Sequence, residues 1–507
     1  MPSGNPAHQT RCKATIASLQ NTPPHSSPTT NTTTFTLPEK IAHALAQANI
    51  AYTLASTDPH CPYEHCDILP QIPAESAVRL LILQDSIGQE QFILPTNRLI
   101  DVGRLSEQNG RNLQAAPAAV WRSLITQQGL PEDSIDLVAV PHAQQLPLHA
   151  CPSLRKQDRL YLSSGVEQLY LKLTGENVER YLRDATDSNV TVSVDGLWKQ
   201  LREDKGDEPL IEAVSQFTTL RMQQRLDKTL EIPPMPETAR RIVKLRVNPN
   251  ATANDLAAVV EHDPSLAAQV VSWAASPYYY APGGIHSVRD AVVRVLGFDL
   301  VMNLALGLAI GKTIKMPTDG PHGVTPYWRQ AVFTAAISEA LVKRMACEHR
   351  PDVGLAYLCG LLNNFGVFIL SCVFPPFFSL ISRFIEANPH HPHAVVEQYV
   401  LGISREHLCA WVMQLWEMPD EVVTALRWQQ IPEYSDRHNT YANLLYVANQ
   451  LTRRLHTQHS RCGNRPQPLP SSLLARLGLT PESVEDVLSQ TQARQDELMA
   501  IVTALKN

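Results

Sequence analysis

Histidine and cysteine side chains that could bind a metal occur close together in two short segments of the sequence. His60, Cys61, His65 and Cys66 lie within seven residues, which supplies enough ligands for a tetrahedral zinc site. Their spacing is not that of a standard zinc knuckle, so we favour a solvated loop here. Residues 388–393 read Asn-Pro-His-His-Pro-His, and the prolines predict a surface turn between helices rather than a metal site.

The sequence shows no pattern typical of the common catalytic or nucleic-acid-binding sites. It has no Walker loop, no Ser-His-Asp set and no basic stretch with interleaved aromatic residues. Segments typical of receiver, kinase or diguanylate-cyclase domains are absent as well. The 43 Lys plus Arg residues face 49 Asp plus Glu, a formal net charge of −6, which gives no electrostatic footprint for wrapping DNA. We therefore expect no DNA partner.

The chain is long enough to bury more than one core. At roughly 100 to 200 residues per domain, its 507 residues predict about two to four domains. Hydrophobic residues at 44% and charged residues at 18% are in the range of globular proteins. The nine cysteines, together with an N-terminal sequence without the apolar stretch of a secretory signal, predict free thiols in a reducing cytoplasm.

One stretch has the composition of a membrane segment. Residues 353–382 contain no Asp, Glu, Lys or Arg, and the stretch exceeds the roughly 20 residues that cross a bilayer. Asn363-Asn364 and Pro375-Pro376 argue against a span, because lipid could not satisfy their amides and interrupted backbone. We predict two buried helices separated by a break inside a protein core, and no membrane partner.

Local patterns predict a mixed α/β region in the N-terminal part of the chain. Residues 1–36 are rich in Ser, Thr, Asn and Pro with few large apolar groups, and we predict a disordered tail there. Two apolar runs on either side of Gly88 predict a β-hairpin. The predicted segments are helix 39–48, strands 78–83, 91–94, 138–140 and 160–162, and helix 176–182.

The remainder of the chain has helical patterns. Residues 184–207 are polar and predict a connector, and a helical pattern begins in residues 209–226. From residue 230 to about 455 there is almost no strand pattern, and residues 471–505 predict two terminal helices. The predicted helix starts are Asn254, Asp263-Pro264, Ser287 and Thr480.

Four ordered motifs follow one another in this helical part. They read LEIPPMP at 230–236, EHDPSL at 261–266, AASPY at 274–278 and AVVRVLG at 291–297. Together they resemble the HDOD domain of bacterial signalling proteins. The resemblance implies an all-helical relative of the HD metal-dependent phosphohydrolases that serves as an output or regulatory module. The residues that match the HDOD motifs are Pro233, Pro236, Asp263, Pro264, Ser276, Gly297, Trp328, Gly360, Gly366, His407, Trp416 and Pro419.

The positions that bind metal in HD phosphohydrolases are changed in this sequence. Such enzymes need imidazoles, a His-Asp pair and a distant Asp around a divalent ion and its activated water. Here the Trp-x-His-Ser motif corresponds to WRQA at 328–331, and the His-Asp motif corresponds to GLLNNFG at 360–366. A His-His pair corresponds to QQ at 429–430, and the late Ala-Asp corresponds to AN at 448–449. The corresponding residues are Gln330, Asn363, Asn364, Gln429, Gln430 and Asn449.

Each of these substitutions introduces a carboxamide. A neutral amide oxygen lacks the charge that compensates ion dehydration, and an amide cannot act as a general base. Asn and Gln nevertheless keep the size and hydrogen-bonding capacity for a buried polar network. We therefore predict a vestigial HD site with no catalytic residue, no metal and no cofactor. Whether the amides only pair with the backbone or form a ligand pocket stays open.

The N-terminal region resembles the YbaK-like aminoacyl-tRNA deacylases, the prolyl-tRNA editing family. The resemblance rests on AVRLLIL at 77–83, QFILPTNRLID at 91–101 and the later SSG at 163–165. It implies that Arg79 stands where the family has its functional lysine, and arginine does not reproduce a compact ammonium. No glycine occurs between residues 130 and 164, although the family's loop needs glycine for close backbone approach to a ligand.

These observations predict a multidomain protein with an α/β domain followed by an all-α HDOD domain. We interpret it as a cytoplasmic, bacterial regulatory protein without catalysis, which binds a protein partner or a small ligand. The alternative is aminoacyl-tRNA deacylation, with Arg79 as the catalytic candidate, or tRNA binding without chemistry. The predicted parts are a tail at 1–36, an editing-like domain at 37–182, a connector at 183–220, an HDOD domain at 221–456 and a helical extension at 457–507.

Overall fold

A computed structural model describes most of the chain. The described residues are 37–56, 72–130, 137–165, 169–203, 234–279, 284–311, 321, 326–456, 466–467 and 469–506. The predicted tail at 1–36, the segment His60 to Cys66, the helical pattern at 209–226 and Pro233 lie outside them. The chain forms two compact units. In the described part, the first unit comprises residues 37–96 and 116–191, and the second comprises residues 97–115 and 192–506.

Strands are confined to the N-terminal part of the described chain. In chain order they are β1 (Thr53–Ser56), β2 (Ala77–Gln84), β3 (Gln89–Pro95), β4 (Arg98–Ile100), β5 (Gln114–Ala115), β6 (Leu148–Ala150), β7 (Arg159–Ser163), β8 (Leu169–Thr174), β9 (Thr186–Asp187) and β10 (Thr191–Ser193). The helices among them are α1 (Glu39–Gln47), α2 (Val102–Asn109), α3 (Ala118–Gln128), α4 (Glu176–Leu182) and α5 (Asp195–Arg202).

The rest of the described chain is helical. Its helices are α6 (Glu237–Arg246), α7 (Ala253–Glu261), α8 (Pro264–Ala274), α9 (Val288–Asp290), α10 (Phe298–Gly311), α11 (Tyr327–Arg344), α12 (Val353–Leu362), α13 (Gly366–Val373), α14 (Pro375–Ala387), α15 (His393–Leu401), α16 (Arg405–Leu415), α17 (Asp420–Trp428), α18 (Asn439–His456), α19 (Ser471–Arg476), α20 (Pro481–Ala493) and α21 (Gln495–Lys506). The predicted order of fold classes, α/β followed by all-α, is confirmed.

The first unit is built on a mixed sheet with the strand order β1-β8-β7-β2-β3-β6-β9. The predicted hairpin around Gly88 is confirmed, because β2 and β3 are antiparallel with Leu81 opposite Phe92. Residues 77–83 are all buried, which explains why β2 reads as a continuous apolar run instead of an alternating one. The predicted helix at 176–182 is confirmed by α4.

The strand predicted at 138–140 is wrong. This apolar run is buried, but the backbone N–H of Val140 donates to the carbonyl of Val138 at 2.7 Å. Such a tight turn bends the chain out of the extended conformation. An apolar run this short has no periodicity that separates a strand from a buried turn.

Most helix starts of the second unit follow the predicted caps. Asp263 accepts a hydrogen bond from the N–H of Leu266 at 3.0 Å, and Ser287 accepts one from Asp290 at 3.0 Å. Asn254 is wrong as a cap, because Thr252 caps α7 and forms a capping box with Asp255. The Thr252 hydroxyl accepts a hydrogen bond from the N–H of Asp255, and the Asp255 carboxylate accepts one from the N–H of Thr252. This reciprocal pair starts the helix two residues before Asn254.

Further helix caps lie at the C-terminal end. Thr480 caps α20 as predicted and forms a capping box with Ser483. The two predicted terminal helices are instead three, because α20 ends at Ala493, the cap residue Arg494 has a φ of −105°, and α21 follows. Residues of α21 belong to the main core of the second unit; they are Leu498, Ile501, Val502 and Leu505.

The apolar stretch at 353–382 contributes to three helices instead of the predicted two, because it is interrupted at Asn363-Asn364 and again at Phe374, before α14. Helices α12 and α13 are buried along most of their length in the main core of the second unit. In the described residues no single helix has the length and composition to cross a membrane. The pair α12 and α13, bent by 42°, satisfies those two criteria only when both helices are taken together.

Two segments from the N-terminal half contribute to the second unit. Strands β4 and β10 form a two-stranded sheet. Their residues Leu99 and Val194, together with Leu201 of α5, form a small apolar cluster with Ala394 and Val395 of α15. The second unit is therefore not a continuous C-terminal piece of the chain. The cysteines in the described residues are free thiols.

Candidate functional site

The close crossing of α11 and α12 brings the first carboxamides together. A Cβ atom built on Gly360 would lie 2.6 Å from the Cα of Ala335 and 2.8 Å from its backbone nitrogen. Because real Cβ contacts are essentially never that short, only glycine permits these two helices to approach so closely. The crossing places Gln330, near the start of α11, against Asn363 and Asn364 at the end of α12.

The three carboxamides at this crossing form a directed chain of hydrogen bonds. Asn364 Nδ2 donates to Gln330 Oε1 at 3.2 Å, and Gln330 Nε2 donates to Asn363 Oδ1 at 3.1 Å. Asn363 Nδ2 donates to the backbone carbonyl of Gly360, which lies in the last turn of α12. The side chain of Asn363 thus also satisfies a carbonyl at the helix terminus, where intrahelical partners run out.

The chain of amides continues into α17 and α18. Gln429 Nε2 donates to the backbone carbonyl of Asn363 at 2.9 Å, and Asn449 Nδ2 donates to Gln429 Oε1 at 3.0 Å. Gln429 and Asn449 are each only 3% exposed. Asn449 Oδ1 is buried and has no hydrogen-bond partner in the described part of the chain. The network therefore ends on a buried acceptor.

We call the residues of this network the amide cluster. They are Gln330, Asn363, Asn364, Gln429 and Asn449. The structure brings all of them together, as the resemblance to HD proteins implies, although they are far apart in sequence. The cluster has a closed inner end at Asn449 and an outer end at Gln330 and Asn364, which are only partly buried.

Gln430, the remaining predicted carboxamide, bonds to different partners. Its Nε2 donates to Glu406 Oε1 at 3.4 Å, and its Oε1 accepts a hydrogen bond from Arg453 Nη2 at 2.8 Å. Glu406 is 6% exposed, and its Oε2 is buried without a hydrogen-bond partner in the described residues. Gln430 therefore stands between a buried carboxylate and a guanidinium.

Burial lowers the pKa of Arg453, while the nearby Tyr446 and Glu406 oppose that shift. A guanidinium begins so far above neutral pH that Arg453 stays protonated. Arg453 lies one helical turn beyond Asn449 on α18, so both side chains are on the same helix face. The charge of Arg453 consequently lies beside the amide cluster.

A buried ion pair between Glu397 and Arg405 begins α16 next to Glu406. The backbone N–H of Arg405 donates to Glu397 Oε2 at 2.8 Å, and the Arg405 guanidinium donates to Glu397 Oε1. Burial raises the pKa of Glu397 to about 7, and Arg405 opposes the rise. A Cβ on Gly366 would lie 2.5 Å from the backbone oxygen of Arg405, so this glycine allows α13 to approach the start of α16.

The donor set of the amide cluster does not fit a divalent metal ion. HD-type sites hold their ions with imidazole nitrogen and carboxylate oxygen. In the described residues no group of three or more His, Cys, Asp or Glu side chains is arranged to bind an ion. The amide oxygens of Gln330, Asn363 and Gln429 already accept hydrogen bonds from neighbouring side chains, and the adjacent charge is the cation Arg453.

The residues that match HDOD motifs lie at helix ends and helix crossings. Pro236 and Pro419 stand immediately before α6 and α17, and Asp263-Pro264 begins α8. Gly297 has a φ of +82° between a π-helical stretch (Ala291–Leu296) and α10, a conformation that favours glycine. These positions shape the helical scaffold and do not touch the amide cluster through any hydrogen bond that the structure describes.

The remaining motif residues are buried or packed against the core. Trp328 closes over Gly311, where a Cβ would lie 2.6 Å from the indole ring. Trp416 packs against Phe365, with ring centroids 6.0 Å apart. Ser276 is buried just after α8, and His407 is buried in the first turn of α16, where its N–H donates to the cap Ser404 at 3.3 Å.

The histidine segment at 388–393 is not the surface turn that we predicted. His390 and His391 are 4% and 0% exposed. His391 Nε2 lies 2.9 Å from the backbone oxygen of Arg98, and Asn388 Nδ2 donates to the carbonyl of Ile100 at 2.9 Å while its Oδ1 accepts from the N–H of Ile100 at 2.6 Å. The polar side chains satisfy backbone groups of β4, a role that a single-segment pattern does not reveal.

Arg79, the residue implied by the resemblance to editing enzymes, lies within β2 of the first unit. It is only 7% exposed and stands opposite Leu94 of β3 in the antiparallel register. It is a member of a buried strand and not of a loop.

The charged residues beside the amide cluster were not identified from the sequence. They are Glu397, Arg405, Glu406 and Arg453. One usable signal was the spacing of Arg453 from Asn449, which is one helical turn. A second was the sequence Ser-Arg-Glu-His at 404–407, which places charge immediately before the apolar residues of α16.

Comparison with known proteins agrees with the helical fold and its motifs. The family model described as "HDOD domain" matches residues 232–432. A curated relative, an uncharacterized protein from Treponema pallidum (strain Nichols), is 23% identical over 280 residues, which are 55% of this chain and 52% of the relative. The chain thus spans about half the length of that curated relative.

Two solved structures extend the comparison. One, named "Putative trans-editing enzyme for prolyl tRNA synthetase", is 15% identical with a TM-score of 0.25 and covers 31% of this chain and 97% of its own; a likeness at this level says nothing about activity. The other, named "Putative signal transduction protein" from Marinobacter aquaeolei VT8, is 38% identical with a TM-score of 0.80 and covers 93% of this chain and 100% of its own. Because the HDOD model matches residues 232–432 and the Marinobacter aquaeolei VT8 relative matches over 93% of the chain, the chain belongs to the HDOD family.

Proposed function

We propose that the protein is a non-catalytic regulatory protein that acts by binding a protein partner or a small ligand through its second unit. The observation that carries the proposal is the amide cluster, whose side chains hydrogen-bond to one another and to backbone carbonyls from Asn364 through to Asn449. The similarity to the putative signal transduction protein of Marinobacter aquaeolei VT8 supports a role in signal transduction.

The chemistry of the amide cluster supports binding over hydrolysis. Hydrolysis of a phosphoester at such a site needs a metal-activated water or a general base. A carboxamide is neutral and does not take up a proton at physiological pH, so none of the cluster residues can serve as the base. Glu406 accepts a hydrogen bond from Gln430, the residue after Gln429, and Gln430 also accepts one from the cation Arg453.

The same hydrogen bonds give the site a fixed shape. Gln330 and Asn364 are partly buried at the outer end of the cluster, so an amide-lined surface at this end is held by bonds of 3.1 and 3.2 Å. Pre-ordered amides present both donors and acceptors to a partner without further loss of side-chain entropy. This arrangement suits recognition of a polar group on a partner.

The first test measures metal content and turnover of the full-length protein. Protein incubated with Mn²⁺, Fe²⁺, Mg²⁺ or Zn²⁺ and then desalted should retain far less than one ion per chain. It should not hydrolyse bis(p-nitrophenyl) phosphate or a cyclic dinucleotide faster than buffer. Stoichiometric metal together with hydrolysis that Asn363→Leu abolishes, and Gln127→Met leaves intact, would overturn the proposal; Gln127 is an exposed amide on α3.

The second test asks whether the outer end of the cluster recognises a partner. Proteins captured from the native cell by the wild type should be lost with Gln330→Arg, which adds bulk and charge at the outer end, and kept with Gln127→Met. Identical capture by both variants would exclude the amide cluster as the recognition surface.

A further inference from the structure

A cation is already built into the region next to the amide cluster. Arg453 Nη2 donates to Gln430 Oε1 at 2.8 Å, and Gln430 Nε2 donates to Glu406 Oε1 at 3.4 Å. A single carboxamide thus connects a guanidinium to a carboxylate, with its acceptor toward the positive group and its donor toward the negative one. This orientation is the favourable one for both charges.

Glu406 depends on this connection for charge compensation. The side chain is 6% exposed, and Oε2 has no hydrogen-bond partner in the described residues. Arg405, its neighbour in sequence, also feels the charge of Glu406, but its guanidinium donates its hydrogen bonds to Glu397. A buried carboxylate without a positive group nearby would be strongly destabilising. Arg453 is therefore the cation that the hydrogen bonds assign to Glu406.

The position of Arg453 relates this charge to the amide cluster. Arg453 and Asn449 are four residues apart on α18, which places their Cβ atoms about 6 Å apart on one helix face. Their acceptors, Gln430 and Gln429, are consecutive residues at the end of α17. The hydrogen bond from Arg453 to Gln430 is thus next to the one from Asn449 to Gln429. From this position the guanidinium would repel a metal ion that approached Asn449 Oδ1.

We propose that Arg453 is an internal counter-ion that takes the place of a divalent cation at this site. It supplies the positive charge for Glu406 and excludes metal from the amide cluster. The Arg453 guanidinium thus provides at all times the positive charge that a bound metal ion would provide. This inference deepens the proposed function, because it rests on the absence of metal-dependent chemistry there and explains how the site keeps its shape without an ion.

The test removes the charge of Arg453 in the full-length protein. Arg453→Met keeps most of the side-chain volume and removes the cation that is linked to Glu406 through Gln430. The matched control is Arg454→Met, because Arg454 is the next residue on α18 and forms a solvent-accessible ion pair with Glu485 at 3.6 Å. Arg453→Met should raise the unfolding equilibrium constant on the order of a hundredfold, whereas Arg454→Met should change it by less than about fivefold.

Two further measurements separate a counter-ion from an ordinary structural contact. Adding Glu406→Gln to Arg453→Met should restore most of the lost stability, because the uncompensated charge is then gone. Adding Mg²⁺ or Mn²⁺ should raise the unfolding temperature of Arg453→Met, and should have no such effect on the wild type, on Arg454→Met or on the Glu406→Gln double variant.

Each result decides the matter. The inference is overturned if Arg453→Met is as stable as Arg454→Met, if Glu406→Gln fails to rescue it, or if divalent ions act equally on all variants. Should Arg453→Met alone fail to fold, the double variant with Glu406→Gln must fold, and its failure counts against the inference. Hydrolysis by the wild type would refute the proposed function instead, while leaving this double-mutant comparison unaffected.

Discussion

Replacing Gly360 by alanine should separate α11 from α12 and disturb the amide cluster. The new Cβ would lie 2.6 Å from Ala335 Cα, whereas ordinary contacts begin at 3.4 Å, so α12 must shift by about 0.8 Å. Overpacking of this kind costs about 1–3 kcal/mol. Stretching the hydrogen bond between Gln330 and Asn363 beyond 3.1 Å adds about 1 kcal/mol, and the better helix propensity of alanine returns about 1 kcal/mol.

The net expectation is a loss of about 1–3 kcal/mol in the free energy of unfolding. Urea unfolding followed by tryptophan fluorescence measures it in the second unit, which contains most of the tryptophans: Trp198, Trp273, Trp328, Trp411, Trp416 and Trp428. Gly196→Ala is the matched control, because nothing lies within 4 Å of its new Cβ in α5. If Gly360→Ala proves as stable as this control, the close crossing does not hold the amide cluster together.

Three further predictions concern other parts of the chain. Gln429→Leu should destabilise the second unit by about 1–3 kcal/mol in urea unfolding, because it leaves the Asn363 carbonyl and the Asn449 amide without their partner; unchanged stability would contradict the network. Glu397, whose pKa is raised from 4.5 to about 7, contributes stability that is fully present below pH 4.5 and is lost as the pH rises through 7; Glu397→Gln should flatten the thermal-unfolding profile over that window, and an unaltered profile would count against this titration. Arg79→Ala should not change the release of amino acid from mischarged tRNA, which we expect at the background rate for both proteins, and turnover lost in the variant would favour the deacylase alternative.

Much of the fold was predictable because its local signals are strong. Asp263-Pro264 combines a capping carboxylate with a proline at the first helical position, and the structure uses both. The apolar runs around Gly88 could pair only as a hairpin over so short a turn. By contrast, residues 138–140 are too few to show a period, and burial alone does not fix a backbone conformation.

The site was predictable only in part, for a different reason. The members of the amide cluster could be aligned with a known motif order, and their proximity follows from that resemblance. The partners of Gln430 could not, because Glu406 and Arg453 meet only through the way in which α16, α17 and α18 pack. The same holds for His391, whose acceptor on Arg98 is almost three hundred residues away in sequence.

The contribution of β4, β10 and α5 to the second unit limits how such proteins can be cut or recombined. A fragment that begins at residue 221 would lack Leu99, Val194 and Leu201, and so would leave Ala394 and Val395 of α15 without their apolar cover. It would also remove the strand backbone that Asn388 binds. A fragment intended to fold as the second unit must therefore include residues 97–115 as well as those from 192 onward.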